Sequence, residues 1–508
     1  MFFCLKILKN VDFFLKIDID FLLFSFLISY CVKKKLDFKT KLCYGIGNLG
    51  YGSMGQTVSS MIMFFGTSVL GLSGTLVGLM VAITSLWDGI SDPIIGNLSD
   101  RTKSKFFGRR HGHMIFACFA LAINNILLWF CPTTSYAFSA IWLLSFLLLQ
   151  ETFNTFFATP YSALCIDIAP DYNDQTRLQS FKTVFYILGL IMPSILMYLF
   201  MPSAGIGGQA QFNKAGYLNI ALVNSALVFV CGFVAVLGTF KRMRAMPGYA
   251  GDVNMAREKH SMAKIIAGYV ETFKKKDFRV VMIGYSVCLI AMVFISSVGM
   301  HLFTFCYHFS STQISTLMIC LFGGAIFSQV LWVNVVKKFD KKKTLIFALS
   351  VLLGGIALTS VTFLFRLYCS SNFIFWFVVP SLFVCGTGSG ALYFIPHTMY
   401  ADVVTMEQYK TGENNSGRYT GYYTFTYNFS NSIALLFIGL LLDFVRFDSA
   451  QPVQALAVQS GLGKIVFFGS AIFLTIAILV FSKYSIKRSD VLKVQIKANE
   501  KKCENKKM

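Results

Sequence analysis

Residues 75–98 read TLVGLMVAITSLWDGISDPIIGNL, from Thr75 to Leu98. The run is apolar over the ~20 residues a helix needs to cross a hydrocarbon layer. It carries two acids, Asp88 and Asp92, in its interior and closes on Asp100 and Arg101. It shows no period-2 alternation, so it does not read as a barrel strand. Working outward, the same kind of segment recurs along the chain. These segments run Tyr44 to Leu70, Met114 to Cys131, Ala137 to Ile168, Leu178 to Phe200, Tyr217 to Leu237 and Val280 to Tyr307. They continue with Ile314 to Val336, Thr344 to Phe365, Phe373 to Val404, Tyr422 to Phe444 and Ile465 to Phe481. The pattern predicts an all-α membrane protein of about twelve spans, because helices satisfy every backbone group inside lipid.

Composition agrees. Of 508 residues, 55% are hydrophobic, 16% aromatic and 14% charged. Soluble proteins average about 25% charged residues. The deficit excludes a water-soluble multi-domain enzyme, a disordered chain and a collagen-like fibre. The 13 cysteines form no CxxC pair and are scattered through apolar segments, as small buried hydrophobes are.

Lys and Arg outnumber Asp and Glu by 45 to 24, a net charge of +21. In a soluble chain that excess points to nucleic acid. Here it collects in alternate loops. Loop 2–3 holds Arg101, Lys103, Lys105, Arg109 and Arg110. Loop 6–7 is basic from Lys241 to Arg279, and loop 8–9 holds Lys337, Lys338 and Lys341 to Lys343. Loops 1–2 and 3–4 carry neither residue. The bias predicts a multi-pass protein of the cell membrane with both termini in the cytoplasm. The charge reports topology and attraction to anionic lipid, and no nucleic-acid partner is expected.

The long loop divides the spans into two halves, 41–240 and 280–484. Within 241–279, Ser261 to Phe273 has apolar residues at helical spacing and reads as an amphipathic surface helix. Residues 485–508 form a basic tail. Residues 1–40 carry one short apolar run, Phe21 to Ile28. They read as a nonessential extension or an upstream start, with a surface anchor as the alternative. Pro160-Tyr-Ser-Ala-Leu and Pro396-His-Thr-Met-Tyr, each leading into an acidic loop, echo one another. Two weakly repeated six-helix halves are the major facilitator arrangement.

Chemistry concentrates at Trp87-Asp-Gly-Ile-Ser-Asp-Pro93. Each intramembrane acid costs about 2.5–3.5 kcal/mol on insertion scales. Asp88 and Asp92 are four apart and share one helix face. Two oxygen donors there suit a hard monovalent cation or a shared proton, with Ser91 between them as a further oxygen. The plain alternative is a carboxylate paired with Lys or Arg for packing. Gly45-x-Gly47-x-x-Gly50 lacks the strand and βαβ unit of a dinucleotide fingerprint. It reads as close helix packing, as does Gly386-Thr-Gly-Ser-Gly390, while Asn48 and Tyr51 are candidates to face a cavity. Asp100, Arg101, Arg109 and Arg110 suit a gate of charge-assisted bridges. Asp402 and Arg418 suggest a second such cluster near Glu407. Lys182 either faces the centre or snorkels to the interface. His301 and His397 read as packing residues, and metal binding at His111 and His113 is not expected. There is no Walker A sequence, HExxH or Ser-His-Asp arrangement. The chain reads as no enzyme, with no cofactor beyond a coupling ion, Na⁺ or H⁺.

Several of these motifs together resemble a known family. They are the Lys41-Leu-x-Tyr-Gly start, Trp-Asp-x-Ile-x-Asp-Pro, Asp-Arg-Thr followed by Gly-Arg-Arg, Pro-Tyr-Ser-Ala-Leu, Asp-Tyr-Asn-Asp-Gln-Thr-Arg-Leu, and Ala-Asp-Val-Val with a later Tyr-Lys-Thr-Gly. From Lys41 to about Lys487 the chain is similar to the glycoside–pentoside–hexuronide:cation symporters of the major facilitator superfamily. The resemblance implies cation-coupled import of a sugar or glycoside by alternating access. It implies that Asp88 and Asp92 bind Na⁺, Li⁺ or H⁺, with Thr155 as a further ligand. Lys182 stands where the family's sugar-holding arginine stands, and Asn48, Tyr51, Asn154, Tyr161 and Asn428 complete the expected substrate set. Departures fall on the sugar side. The melibiose-type helix 1 acid falls on Gly52, the helix 4 acid on Ala158, the aromatic after it on Ser162 and the helix 11 lysine on Asn428. One carboxylate fewer favours H⁺ over Na⁺. The Pro-Tyr-Ser-Ala-Leu form also resembles animal lysophospholipid symporters, so a lysolipid or other non-sugar solute is the alternative. A non-transporting receptor or assembly protein on the same scaffold is a third reading. The protein is expected to act as a monomer, with a small-molecule substrate and membrane lipid as its partners.

Overall fold

The computed structural model describes residues 36–102, 104, 106–169, 172–201, 210–245, 271–411, 416–448, 451, 453–491 and 493–494. No strand occurs among them. The first half comprises α1 (Phe38–Phe64), α2 (Gly74–Arg101), α3 (Gly108–Phe130), α4 (Tyr136–Ile168), α5 (Tyr172–Phe200) and α6 (Lys214–Arg244). The second comprises α7 (Lys276–Phe305), α8 (Ser311–Lys338), α9 (Lys341–Phe365), α10 (Ser371–Gly390), α11 (Ile395–Thr411), α12 (Ser416–Phe444), α13 (Leu456–Lys464) and α14 (Ser470–Phe481).

Helix starts follow from short polar residues that satisfy the orphan N–H groups of a first turn. Ser73 accepts from Leu76 N–H, Ser135 from Phe138 N–H and Asn213 from Ala215 N–H. Ser310 and Gln313 form a capping box on α8.

Eleven of the described helical stretches are long and apolar enough to cross a membrane. Residues 38–69, the twelfth expected span, are not among them. Glycine, serine, threonine, asparagine and glutamine interrupt that stretch. Its reason lies in packing: α1 is a central helix that lies against α5, α6 and α7. A Cβ on Gly47 would lie 2.7 Å from Ala235 Cβ, and one on Gly50 2.7 Å from Val228 Cα. The glycine pattern is therefore close helix packing, as expected.

Several boundaries move. Arg109 and Arg110 belong to the first turn of α3 rather than to a loop, Lys337 and Lys338 close α8, and Lys341 to Lys343 open α9. The helices run past their apolar core, and long basic side chains carry charge to water from helix ends. The tenth span is broken. α10 stops at Gly390, a 3₁₀ turn covers Ala391–Tyr393, and α11 continues to Thr411. Asp402 thus lies within α11 instead of ending a helix. A π turn at Ile465–Gly469 joins α13 to α14, so the last span begins at Leu456. The amphipathic helix expected from Ser261 and the N-terminal run Phe21 to Ile28 lie outside the described residues, apart from 271–273, which are helical.

Within the first half α1 packs on α5 and α6, α3 on α4 and α6, and α2 on α4. In the second, α8 and α9 pack on α10, and α7 packs on α12 and α14. The halves meet through α1–α7, α2–α12 and α5–α8. Exchanging the halves swaps the last two pairs, span two with span eleven for span eight with span five. That is the pseudo-two-fold relation of repeated transporter halves. Large apolar residues such as Phe327 and Trp376 stand exposed, as a lipid-facing surface requires. The ten described cysteines are all free.

Candidate functional site

α2 and α4 run in the same direction, and their contacts climb in step. Trp87 Nε1–H donates to Thr152 Oγ1 at 2.8 Å. Thr155 Oγ1–H is 3.0 Å from Asp88 Oδ1, and Thr159 Oγ1–H is 3.2 Å from Asp92 Oδ1. A step of four residues on one helix matches a step of four on the other, because both rise about 6 Å per four residues. The two acids therefore share one face and point to α4. Neither is paired with Lys or Arg among the described ion pairs.

Ser91 completes the first layer. Its Oγ donates to the Asp88 carbonyl at 3.1 Å and lies 3.2 Å from Thr155 Oγ1. Ser91 and Thr155 are buried at 3% and 1% exposure. Buried hydroxyls gathered around a carboxylate offer hard oxygen ligands. Among the described residues no group of three His, Cys, Asp or Glu side chains could hold a metal ion. The oxygens available to a cation are two carboxylates and hydroxyls.

A third acid was missed in the sequence. Glu151 lies one turn before Thr155 on α4, and its backbone carbonyl accepts from Thr155 Oγ1 at 3.0 Å. Its carboxylate is in electrostatic reach of Asp88 and Asp92, and Asn154 Nδ2 donates to its Oε2 at 3.3 Å. The signal was present: an acid in the middle of the segment Ala137 to Ile168 is as costly as those on α2. Glu151 adds a third acid near the pair, although among the described residues no three acids stand close enough to hold one ion together.

Asn428 reaches this centre from the other half. Its Nδ2 donates to Asp88 Oδ2 at 2.5 Å. Its amide thus stands at the acid cluster. Asn154 likewise faces Glu151. Two further substrate candidates bond to neighbouring helices. Asn48 is buried and donates to the Lys182 backbone carbonyl at 3.1 Å. Tyr161 is 1% exposed, with its ring stacked on Tyr44 and its hydroxyl donating to the Tyr44 carbonyl. Each spends its polar group on a neighbouring helix, which sequence spacing does not reveal. Tyr51 stacks near Phe157 and lies in reach of the three acids.

Lys182 turns to α4. Its ammonium donates to Ser162 Oγ at 3.0 Å and lies 5.1 Å from the Tyr161 ring centroid. Ser162 lines a cavity of ≈ 1140 Å³ between the halves, walled by α4, α5, α8 and α11. Val184, Ile187, Leu188 and Ile326 give it an apolar lining, and Gln175, Gln179 and Gln329 add amides. The cavity lies toward the ends of α4 and α8 and the start of α5, the end of the molecule that bears the basic loops. His397 is exposed on its wall, with Tyr285 and Tyr423 beside its ring. It packs on these two rings, as expected, and also faces the cavity. His301 is fully buried and bonds Thr67 of the first half at 2.9 Å.

Two of the gate candidates, Arg110 and Asp402, have described side chains. Arg110 bridges Asp167 of α4 and Ser99 of α2, both at 3.0 Å. Asp402 pairs with Lys341 at 2.6 Å, inside the second half. The side chains of Asp100, Arg101, Arg109 and Arg418 lie outside the described residues.

The chain as a whole is similar to known proteins. The chain is 24% identical to an uncharacterised symporter of Synechocystis, over 84% of this chain and 89% of that protein. It is 20% identical to the sodium-dependent lysophosphatidylcholine symporter 1 of Mus musculus, over 89% and 86%. Among solved structures, a D-xylose–proton symporter shares the fold at a TM-score of 0.62 and 13% identity, covering 89% of this chain and 98% of that one. The sequence pattern of the MFS/sugar transport protein family matches residues 43–488. The chain is thus a member of that family within the major facilitator superfamily, a multi-span membrane transporter and not an enzyme.

Proposed function

We propose that this protein is a cation-coupled symporter in which Asp88 and Asp92 take the driving Na⁺ or H⁺, helped by Thr155, Ser91 and the field of Glu151. The observation that carries the reading is the shared direction of the two acids, both turned to hydroxyls of α4. Paired intramembrane acids held this way mark ion pathways. Cation and solute then raise each other's affinity by one common factor. The motif resemblance to glycoside–pentoside–hexuronide:cation symporters supports this assignment. We read 41–240 and 280–484 as the moving halves, with both termini cytoplasmic and the cavity open to the cytoplasm.

For the solute we favour a lysolipid-like amphiphile. The cavity wall is largely apolar, and the galactoside-binding groups are replaced at Gly52, Ala158, Ser162 and Asn428. Relatives named for lysophosphatidylcholine and sphingosine-1-phosphate align over 89% of the chain. Lys182, beside Ser162 on the wall, is the cation that would meet an anionic headgroup. A sugar is the second reading, favoured by the amides of Gln175, Gln179 and Gln329, which can pair with hydroxyls. Uptake into vesicles under imposed Na⁺ or H⁺ gradients decides, with lysolipids and sugars on one panel. Gradient-driven uptake of lysolipids alone is expected. Uptake of sugars alone reverses the solute assignment, and no flux of any solute favours a non-transporting role.

A further inference from the structure

The end of the molecule remote from the cavity is shut where α2 crosses α12. The two helices run antiparallel and meet backbone to backbone. A Cβ on Gly439 would lie 2.2 Å from the Gly74 carbonyl oxygen, and one on Gly78 2.8 Å from that of Leu435. At the tip, Asp443 of α12 takes the first two free donors of α2. Gly74 N–H donates to Oδ1 at 2.9 Å and Thr75 N–H to Oδ2 at 2.8 Å. These are orphan groups at the positive end of a helix, so both bonds are charge-assisted. Ser73 already accepts from Leu76 N–H at 3.2 Å. The first turn of α2 is thus completed jointly by its own cap and by a carboxylate from the opposite half.

Neutral contacts flank this one at the same end. Thr67 Oγ1 and His301 Nε2 are 2.9 Å apart. Gln211 accepts from Ser311 Oγ at 2.6 Å and donates to Thr304 Oγ1 at 3.3 Å. Each joins the first half to the second. Asp443 supplies the charged tie in this set.

We propose that Asp443 is the latch of the far gate, a positioning residue for the transport cycle. Its carboxylate leaves the N-terminus of α2 each time that end opens, so it sets how much of the protein stands closed. The same helix pair carries the Asp88–Asn428 bond deeper down, roughly 21 Å along α2 from Gly74 at 1.5 Å per residue. Latch and cation acid share one rod, so a tilt of α2 that opens the far end also moves Asp88 relative to Asn428. A bistable packed interface of this kind turns a local change into a rigid-body motion.

Leu435 provides the probe, because it is 1% exposed and its carbonyl abuts Gly78. Leu435→Cys is placed in the full-length protein in membranes. A membrane-impermeant maleimide is added from the side that the far end faces, and mass spectrometry follows the peptide containing position 435. Slow labelling is expected with Asp443 present. In Asp443→Asn and Asp443→Ala, labelling should accelerate about tenfold, the shift expected when a charge-assisted bond no longer favours the closed form. The isosteric Asn variant carries the test if the Ala variant does not insert. Labelling that stays as slow as in the parent, in variants that elute as folded protein, overturns the latch. This readout needs no solute, so its failure leaves the symport reading untouched, and a failed uptake assay leaves the latch untouched.

Discussion

Asp88 holds donors on both carboxylate oxygens, Thr155 from its own half and Asn428 from the other. Removing either donor should be felt as cation affinity, since a hydrogen bond to a charged group contributes about 1.5–3 kcal/mol. Thr155→Ala should raise the half-saturating cation concentration about tenfold or more while leaving downhill solute exchange intact; an unchanged cation dependence would remove Thr155 from the site. Glu151→Gln should weaken cation affinity by a smaller factor, because it acts through its field and not by contact. Lys182→Ala should weaken solute binding about tenfold with cation binding preserved, measured by equilibrium binding of both ligands. The acids on α2 were legible because charge inside an apolar run has few explanations. Glu151 obeys the same rule, but it is a single acid near two Thr and an Asn in its run, without the paired spacing that marks Asp88 and Asp92. Asn48 and Tyr161 could not be placed from sequence. Whether a polar side chain faces a cavity or a neighbouring backbone carbonyl depends on helix rotation, which the periodicity of a helix packed on several sides does not encode.

Helices are where the glycines act. A Cβ on Gly386 of α10 would lie 2.1 Å from the Leu321 carbonyl of α8. Gly386→Val should therefore destabilise the second half by about 1–3 kcal/mol or more through overpacking, seen as a lower melting temperature in detergent. Gly354 on α9 has nothing within 4 Å of its Cβ position. Gly354→Ala should leave the melting temperature unchanged or raise it, since alanine in a helix is favoured by roughly 0.5–1 kcal/mol. Equal losses at both positions would mean that α10 does not cross α8 at Gly386. The spans were legible from apolar length, and the packing role of both glycine clusters from the lack of a preceding strand. The break at Gly390 and the helical setting of Arg109 and Arg110 were not. Hydropathy marks where lipid ends, whereas a helix ends only where its backbone groups find other partners.

At the scale of the molecule, the two halves meet through an acid–asparagine contact and enclose a cavity between them, the arrangement that the proposed exchange of access uses. Charge placement predicts that tags at either terminus are reached only from the cytoplasm, which protease protection in sealed vesicles checks; a tag reached from outside would reverse the cavity's direction. The two-half architecture was legible from the central basic loop and the paired Pro160 and Pro396 motifs. The cavity was not, because it is built from residues far apart in sequence that share no motif. The most direct measurement of the central claim uses purified protein in liposomes, loaded with equal labelled solute inside and out. A Na⁺ or H⁺ gradient is then imposed across the parent and across Asp88→Asn and Asp92→Asn. The account predicts accumulation above the starting level for the parent and none for either variant, with unlabelled solute still exchanged. Accumulation by both variants equal to that of the parent would contradict it.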